Sequence, residues 1–94
     1  MRTIKRSTQF KKDFKRVKAS PSQAQDLDQL LGQILMLLTQ DEPLPEKNRD
    51  HELLGSWRRH RECHVKPDLL LIYQKLDSDI LRLVRIGSHS ELFR

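Results

Sequence analysis

The spacing of apolar residues in the first half of the chain predicts a short strand followed by two helices. Residues 1–5 read as the strand, and Ser7 or Thr8 is placed to cap the helix that follows. The first helix has its apolar residues at helical spacing: Phe10, Phe14 and Val17. The second has a longer apolar face: Leu27, Leu30, Leu31, Ile34, Leu35, Leu37 and Leu38. Ser20-Pro21 separates the two helices, because proline suits a first helical turn and breaks an interior one.

The second half of the chain has the pattern of strands separated by tight turns. Residues 41–45 hold two prolines and cannot be helical, and residues 46–50 form a polar loop. Three strands are predicted after this loop: residues 57–64, 69–73 and 80–86. Residues 89–93 then close the chain as a turn or a short helix.

The predicted order β-α-α-β-β-β indicates an α+β fold in a single domain, residues 1–94. Consecutive strands joined by short loops pair antiparallel, so we expect a small antiparallel sheet packed against the N-terminal helix pair. The helices cover one face of this sheet, and the other face stays partly open. That open face is a surface available for function.

Composition excludes several classes of protein. With 94 residues, 36% of them hydrophobic and 33% charged, the chain builds one thin core beneath a heavily ionised surface. No apolar run exceeds five residues, so we expect neither a membrane span nor a secretory signal. The single cysteine, Cys63, cannot form an internal disulfide and fits a reducing cytosol.

The net charge of +5 is unevenly distributed along the chain. Residues 2–18 carry a net +7, residues 26–46 carry −5, and residues 47–66 carry +3. Two basic segments in one small domain indicate a phosphate-rich partner, because neutralising phosphates releases counterions and drives binding. The charge alone is equally compatible with an ordinary basic surface.

Three of the four histidines lie next to turns or loops. In an up-and-down antiparallel sheet, alternate turns share an end, so the 64–68 turn and the 87–89 corner are expected to meet at one edge. This topology brings His64, Asp68 and His89 together, and the preceding loop adds His51.

Such a cluster is suited to cleaving a phosphodiester bond with the RNA 2′-hydroxyl as nucleophile. One group must take the 2′ proton, a second must protonate the leaving 5′ oxygen, and a cation must balance the charge on the phosphorane. Two histidines or a histidine–aspartate pair can perform the proton transfers, and Arg85 or a neighbouring lysine can supply the cation. This route requires no metal.

Each residue also has a plainer interpretation. His60 and His64 have a spacing that resembles a metal site, but Cys63 between them points to the opposite face of a strand, so we expect no zinc. Asp68 can simply cap a turn, and Trp57 can simply anchor the core. The lysine-rich first helix can be a solvated face.

In combination, the motifs of the C-terminal half resemble the YafQ-type toxins of the RelE/ParE superfamily of bacterial toxin–antitoxin systems. They lie in order along residues 50–93: Asp50-His51, Leu53-x-Gly55-x-Trp57, Arg61-x-x-His64, Pro67-Asp68, Leu70-Leu71-Ile72-Tyr73, Arg85-x-Gly87-x-His89 and Leu92-Phe93. The strand and helix pair before them also match the family's layout. The chain departs from the family at Leu69, where an aromatic residue is frequent, at His60, where tyrosine is frequent, and at Arg59, where glycine is common.

The resemblance implies a ribosome-dependent, metal-independent endoribonuclease that cuts mRNA in the ribosomal A site and needs no cofactor. It implies His89 as the proton donor to the leaving oxygen. His64 and Asp68 would orient or deprotonate the nucleophile. His51 would support them, and Phe93 would position an mRNA base. Three basic side chains are expected to bind RNA phosphate: Arg61, Lys66 and Arg85.

The resemblance also implies partners. We expect a cognate ribbon-helix-helix antitoxin of the DinJ/RelB type, contact with operator DNA only through the antitoxin complex, and action in the bacterial cytoplasm. Two alternatives remain: a ParE-like gyrase inhibitor without enzymatic activity, and a plain RNA-binding module. The combination of His64, Asp68 and His89 argues against the gyrase inhibitor, because that branch generally lacks the histidine set.

Overall fold

The computed structural model describes residues 1–93 and contains four helices and five strands in that range. The strands are β1 (Thr3–Arg6), β2 (His51–Glu52), β3 (Arg61–Lys66), β4 (Leu69–Leu76) and β5 (Ile80–Gly87). The helices are α1 (Thr8–Ala19), α2 (Pro21–Ala24), α3 (Leu27–Thr39) and α4 (His89–Leu92). Two short 3-10 turns lie at Glu46–Asn48 and Gly55–Trp57.

The five strands form one sheet in the order β1-β5-β4-β3-β2. The predicted antiparallel pairing of β3 with β4 and of β4 with β5 is confirmed. The edge strand β1 pairs parallel with β5, with Thr3 opposite Ile80, so the sheet is mixed. β1 and β5 can run parallel because the helices and three other strands lie between them in the chain, so no hairpin joins the two strands. The α+β fold is confirmed.

Two predicted elements differ from the structure. The second helix is interrupted after Ala24, because Asp26 adopts a left-handed backbone with φ 57° and separates α2 from α3. The strand predicted for residues 57–64 begins only at Arg61. The residues before it form a turn, in which Arg59 is left-handed with φ 71°.

The two ends of α1 are as predicted. The Ser7 hydroxyl caps α1 by accepting a hydrogen bond from the Phe10 N–H, and Ser20 ends that helix. The main core lies between the helices and one face of the sheet, where the buried apolar residues of α1 and α3 meet those of β3, β4 and β5. It includes Phe10, Val17, Leu31, Ile34, Cys63, Leu71, Tyr73 and Leu83.

A second, smaller apolar cluster lies on the opposite face of the sheet. Leu70 and Ile72 of β4 are buried there under Leu92 of α4. The partly buried side chains of Leu53, Trp57, Val84 and Phe93 complete the cluster. We call this side of the sheet the open face, because only a short helix and one turn cover it.

None of the helices within residues 1–93 is long and apolar enough to cross a membrane.

Candidate active site

Three ionisable side chains stand side by side on the open face. Glu62 and His64 are two residues apart on β3 and so project to the same face, opposite Cys63. His51 of β2 is directly paired with Glu62 across the two strands. The register therefore places His51 and His64 on either side of a buried carboxylate.

The ring of His64 is fixed by the turn that follows it. Its Nδ1 lies 3.2 Å from the carbonyl oxygen of Pro67, across the irregularity in the β3–β4 pairing. A neutral ring that donates from Nδ1 to this carbonyl keeps Nε2 as a lone-pair acceptor. This tautomer is the one that a proton acceptor needs.

His89 and Phe93 lie together on α4. Their rings are 5.1 Å apart between centroids, and the Phe93 ring is 6.2 Å from that of Trp57. A capping box fixes the start of α4: the Ser88 hydroxyl accepts from the Glu91 N–H, and the Glu91 carboxylate accepts from the Ser88 N–H. Phe93 is thus both packed against the cluster and placed beside a catalytic candidate.

The backbone register brings the two predicted turns to one edge of the sheet, but His64 and Asp68 line different cavities, and the meeting of their side chains with His89 stays a prediction. Leu70 of β4 pairs with His64 on one side and with Gly87 on the other, so those backbones lie two strand spacings apart, roughly 10 Å. Asp68 lines a cavity of about 510 Å³ together with Ser88 and Ser90. His64, Asp68 and the start of α4 therefore share one edge of the sheet.

His51 has a partner that our sequence reasoning missed. Its Nδ1 lies 2.8 Å from the carbonyl oxygen of Arg49, and its Nε2 lies 3.2 Å from Oε2 of the buried Glu62. Both ring nitrogens are thus within hydrogen-bond distance of protein groups. In this arrangement neither nitrogen of His51 is available to a substrate. Strand alternation was the available signal for Glu62, because it is two residues before His64.

Asp50 anchors the loop that presents His51. Its carboxylate accepts hydrogen bonds from the Tyr73 hydroxyl and from Arg61, whose Nη2 is 3.2 Å away. Burial, followed by the hydrogen bond to Asp50, raises the pKa of Tyr73, so its hydroxyl stays a donor. The loop is thus tied to the middle of the sheet.

Arg85 is held by Asp13 of α1, the most fully enclosed carboxylate. Arg85 donates from Nε at 2.7 Å and from Nη2 at 3.0 Å, and the Ile86 N–H donates to the same carboxylate. Burial by itself raises the pKa of Asp13, but hydrogen bonds from Arg85, Gln9 and the Ile86 N–H hold it below the ordinary value. Asp13 therefore stays ionised and joins α1 to β5.

All three cations predicted to bind phosphate are bound to protein groups. Arg85 pairs with Asp13, and Arg61 pairs with Asp50. Lys66 donates to the carbonyl oxygens of Ser22 and Gln23 at the end of α2. Their role in binding RNA stays a prediction.

A second ion-pair network, also missed from the sequence, holds α4 in place. Arg16 of α1 lies 3.1 Å from Glu91 and donates to the carbonyl oxygen of Ile86. The guanidinium passes close to Gly87, where an added Cβ would lie 2.7 Å from Nη2 of Arg16. Glycine at residue 87 thus permits the close approach that links α1 to the helix carrying His89.

Within residues 1–93, no group of three metal-ligating side chains is close enough to hold a metal ion. Cys63 is fully buried in the core on the helix side, away from His64, and burial raises the pKa of its thiol. His60 instead packs edge-to-face against Trp57. The described side chains therefore form no cluster of three metal ligands, and the absence of a metal requirement stays a prediction.

Comparisons with known proteins agree on one family. A family model described as the bacterial toxin of type II toxin–antitoxin system, YafQ, matches residues 2–94. The mRNA interferase toxin YafQ of Escherichia coli K12 is 40% identical over 92 residues, which cover 98% of this chain and 96% of that protein.

Solved structures give the same result. A metal-bound toxin from Helicobacter pylori has a TM-score of 0.85 and 45% identity, covering 99% of this chain and all of that one. The toxin in the E. coli DinJ-YafQ complex has a TM-score of 0.78 and 37% identity, with complete coverage of both chains. Sequence identity and structural similarity therefore indicate the same family.

Proposed function

Because the chain belongs to the YafQ family of bacterial toxins of type II toxin–antitoxin systems, we propose that it cleaves mRNA held in the ribosomal A site. The chain is an endoribonuclease, since it is 40% identical to an mRNA interferase over nearly its whole length. The observation that supports the site is the backbone register, which brings the 64–68 turn and the start of α4 to one edge of the sheet.

The 2′-hydroxyl of the RNA attacks the adjacent phosphorus in the proposed reaction. Nε2 of His64 takes the 2′ proton, because Nδ1 is bound to Pro67 and keeps the ring in the required tautomer. Asp68 lies at the same turn and orients the nucleophile. His89 donates a proton to the leaving 5′ oxygen, and the base packs on Phe93 beside it.

His51 supports the reaction as a fixed group and transfers no proton. Both of its ring nitrogens are bound, one to Arg49 and one to Glu62, so its exposed edge faces the site with a constant orientation. The reaction needs no cofactor and no metal.

The second part of the proposal is a cognate ribbon-helix-helix antitoxin, supported by the E. coli complex of DinJ with YafQ. An apolar groove of about 1100 Å³ runs between α3 and β3 and ends at His64. Its lining includes the apolar residues Leu30, Ile34 and Val65, and its charged residues are net positive: Lys47, Arg49 and Lys66 against Asp28. We assign this groove to the apolar face of an acidic antitoxin segment, because the negative charge of such a segment complements the net positive charge of the groove.

The remaining partners follow from this activity. Ribosome and mRNA are the substrate complex, the bacterial cytoplasm is the compartment, and operator DNA is reached only through the antitoxin. The basic helix α1, with Lys11, Lys12 and Lys15 exposed, lies on the helix side of the sheet and is suited to ribosomal RNA.

The function is tested by mapping mRNA 5′ ends on programmed ribosomes with the wild type and His89→Ala. We expect cuts at the A-site codon, and a rate reduced roughly 10²–10⁴-fold in the variant. Equal cutting by His89→Ala would remove His89 from the reaction. Absence of cutting together with inhibition of DNA supercoiling would favour the gyrase inhibitor, and RNA binding without cutting would favour the plain binding module.

A further inference from the structure

The turn between β2 and β3 contains an arginine in a strained backbone conformation. Arg59 has φ 71°, in the left-handed region that costs a side chain with a Cβ roughly 1 kcal/mol or more. Four other non-glycine residues share that region, and three of them are aspartates, which tolerate it. The fourth is Arg49, whose conformation aims its carbonyl at His51.

The backbone of Arg59 is held by the turn itself, in which the His60 N–H donates to the Trp57 carbonyl, but its side chain has no such partner. Its side chain is exposed and makes no hydrogen bond or ion pair with any of the residues 1–93, and the same holds for Arg58. This contrasts with Arg61, Lys66 and Arg85, which are all bound to protein acceptors. Both guanidinium groups are therefore free of protein acceptors within the described residues and can bind a group from outside them.

The position of this turn indicates what that group is. We call residues 55–60 the Trp57 turn. Trp57 packs edge-to-face against Phe93, with 6.2 Å between ring centroids, and Phe93 adjoins His89. The two unpaired arginines therefore follow an aromatic group that borders the site of cleavage. Cations next to aromatic rings are the usual arrangement for binding single-stranded nucleic acid.

We propose that Arg59, together with Arg58, binds the RNA phosphate backbone next to the nucleotide packed on Phe93. The guanidinium group suits phosphate because its planar donors match two phosphate oxygens. RNA is favoured over an acidic antitoxin segment because the turn that carries the arginines contacts Phe93 through Trp57. This inference rests on the proposed function, which supplies RNA as the substrate.

Arg59→Gly separates the effect of this residue on stability from its effect on RNA binding. Glycine adopts positive φ freely, so we expect the variant to be as stable as the wild type or more stable in urea unfolding. We expect its Kd for a tetranucleotide RNA, blocked by a 2′-deoxy nucleotide, to rise about five- to tenfold near 0.1 M salt. The slope of log K against log salt should fall by about 0.7, the value for one lost contact with single-stranded RNA.

Two controls match the change. Asp77→Gly relieves a left-handed residue in the β4–β5 turn, away from the site, and should leave RNA binding unchanged. Lys11→Gln removes an exposed positive charge from α1 on the other side of the sheet and should leave tetranucleotide binding unchanged. Loss of affinity in Lys11→Gln equal to that in Arg59→Gly would overturn the proposal, since the effect would then be net charge alone.

Vacant ribosomes provide a second binding arm. Weaker binding of Arg59→Gly to the tetranucleotide supports the proposal. Weaker binding to vacant ribosomes alone would assign Arg59 to ribosomal RNA and overturn it. Unchanged binding in both arms overturns it, as does weakened affinity for the antitoxin alone. Binding is measured without cleavage, so a wild type that binds but fails to cut programmed ribosomes contradicts the proposed function and leaves this inference standing.

Discussion

At the scale of the residue, Glu62 is the side chain whose environment most needs a functional explanation. One carboxylate oxygen faces His51, and the other, Oε1, is buried with no hydrogen-bond partner among residues 1–93. Leaving a buried polar atom unpaired costs roughly 1–3 kcal/mol. In this arrangement the other carboxylate oxygen, Oε2, fixes the orientation of the His51 ring.

Glu62→Gln tests that explanation. The amide fills the same space but removes the negative charge that holds the ring of His51, so kcat should fall about tenfold, the equivalent of about 1.4 kcal/mol, with KM unchanged. Steady-state cleavage on programmed ribosomes measures the split. Glu52→Gln makes the same change of charge at the exposed residue that follows His51, and it should leave kcat unaltered. Wild-type kcat in Glu62→Gln would show that His51 needs no such partner.

Gly87→Ala tests the close contact between Arg16 and the end of β5. The new Cβ displaces the Arg16 guanidinium from Ile86 and Glu91, so we expect a loss of about 1 kcal/mol in the free energy of unfolding and slower cleavage. Gly32→Ala is the matched control: no atom lies within 4 Å of its added Cβ, and a helical alanine should stabilise by about 0.8–1.0 kcal/mol. Urea unfolding measures the stability of both variants. A Gly87→Ala variant as stable as the wild type would contradict the proposed link between Arg16 and α4.

At the scale of the element, long-range ion pairs tie the edge strand β1 to the sheet. Arg2 pairs with Asp41 at 2.8 Å and donates to the carbonyl oxygens of Asp77 and Ile80. Lys75 of β4 lies 2.8 Å from the same Asp41 carboxylate. A strand of four residues with an exposed burial pattern gains little from apolar packing, so these contacts help to fix its parallel register.

The contribution of Asp41 depends on pH in a defined direction. Hydrogen bonds from Lys75 and then Arg2 lower the pKa of Asp41 from 3.8 to about 2. A folded-state pKa below the unfolded one means that the stabilisation is present above pH 4 and is lost as the pH falls towards 2. We expect Asp41→Asn to lower Tm at pH 6 and to match the wild type near pH 2. An equal Tm difference at both pH values would show that the charge is unimportant.

At the scale of the whole molecule, the sequence was sufficient for several features that depend on local patterning, although the helix break at Asp26 and the late start of β3 were missed. The α1 stripe, the Ser7 cap and the turn at Pro67 are short-range features and were correctly predicted. The parallel edge pair was not predictable, because it joins Thr3 to Ile80 across nearly the whole chain. Partners such as Asp13 for Arg85 depend on which long side chains the tertiary fold brings together, so the pairing of the predicted phosphate-binding cations was missed.

The groove between α3 and β3 gives a prediction about assembly. Met36 lines it and is 63% exposed, so Met36→Glu should fold normally while placing a charge in the surface assigned to the antitoxin. We expect antitoxin affinity to fall at least tenfold, measured by calorimetry, with cleavage on programmed ribosomes unchanged. Unaltered antitoxin affinity would assign the antitoxin to another surface.

The central claim is that residues at one edge of the open face make the RNA 2′-hydroxyl the nucleophile. The most direct measurement compares cleavage of two ribosome-bound mRNAs that differ by one 2′-deoxy nucleotide at the mapped cleavage position. We predict that the deoxy substitution abolishes cutting at that bond and leaves toxin binding intact. Cutting of the deoxy mRNA at the wild-type rate would contradict the account, because the bond would then be broken without the hydroxyl on which His64 and His89 are proposed to act.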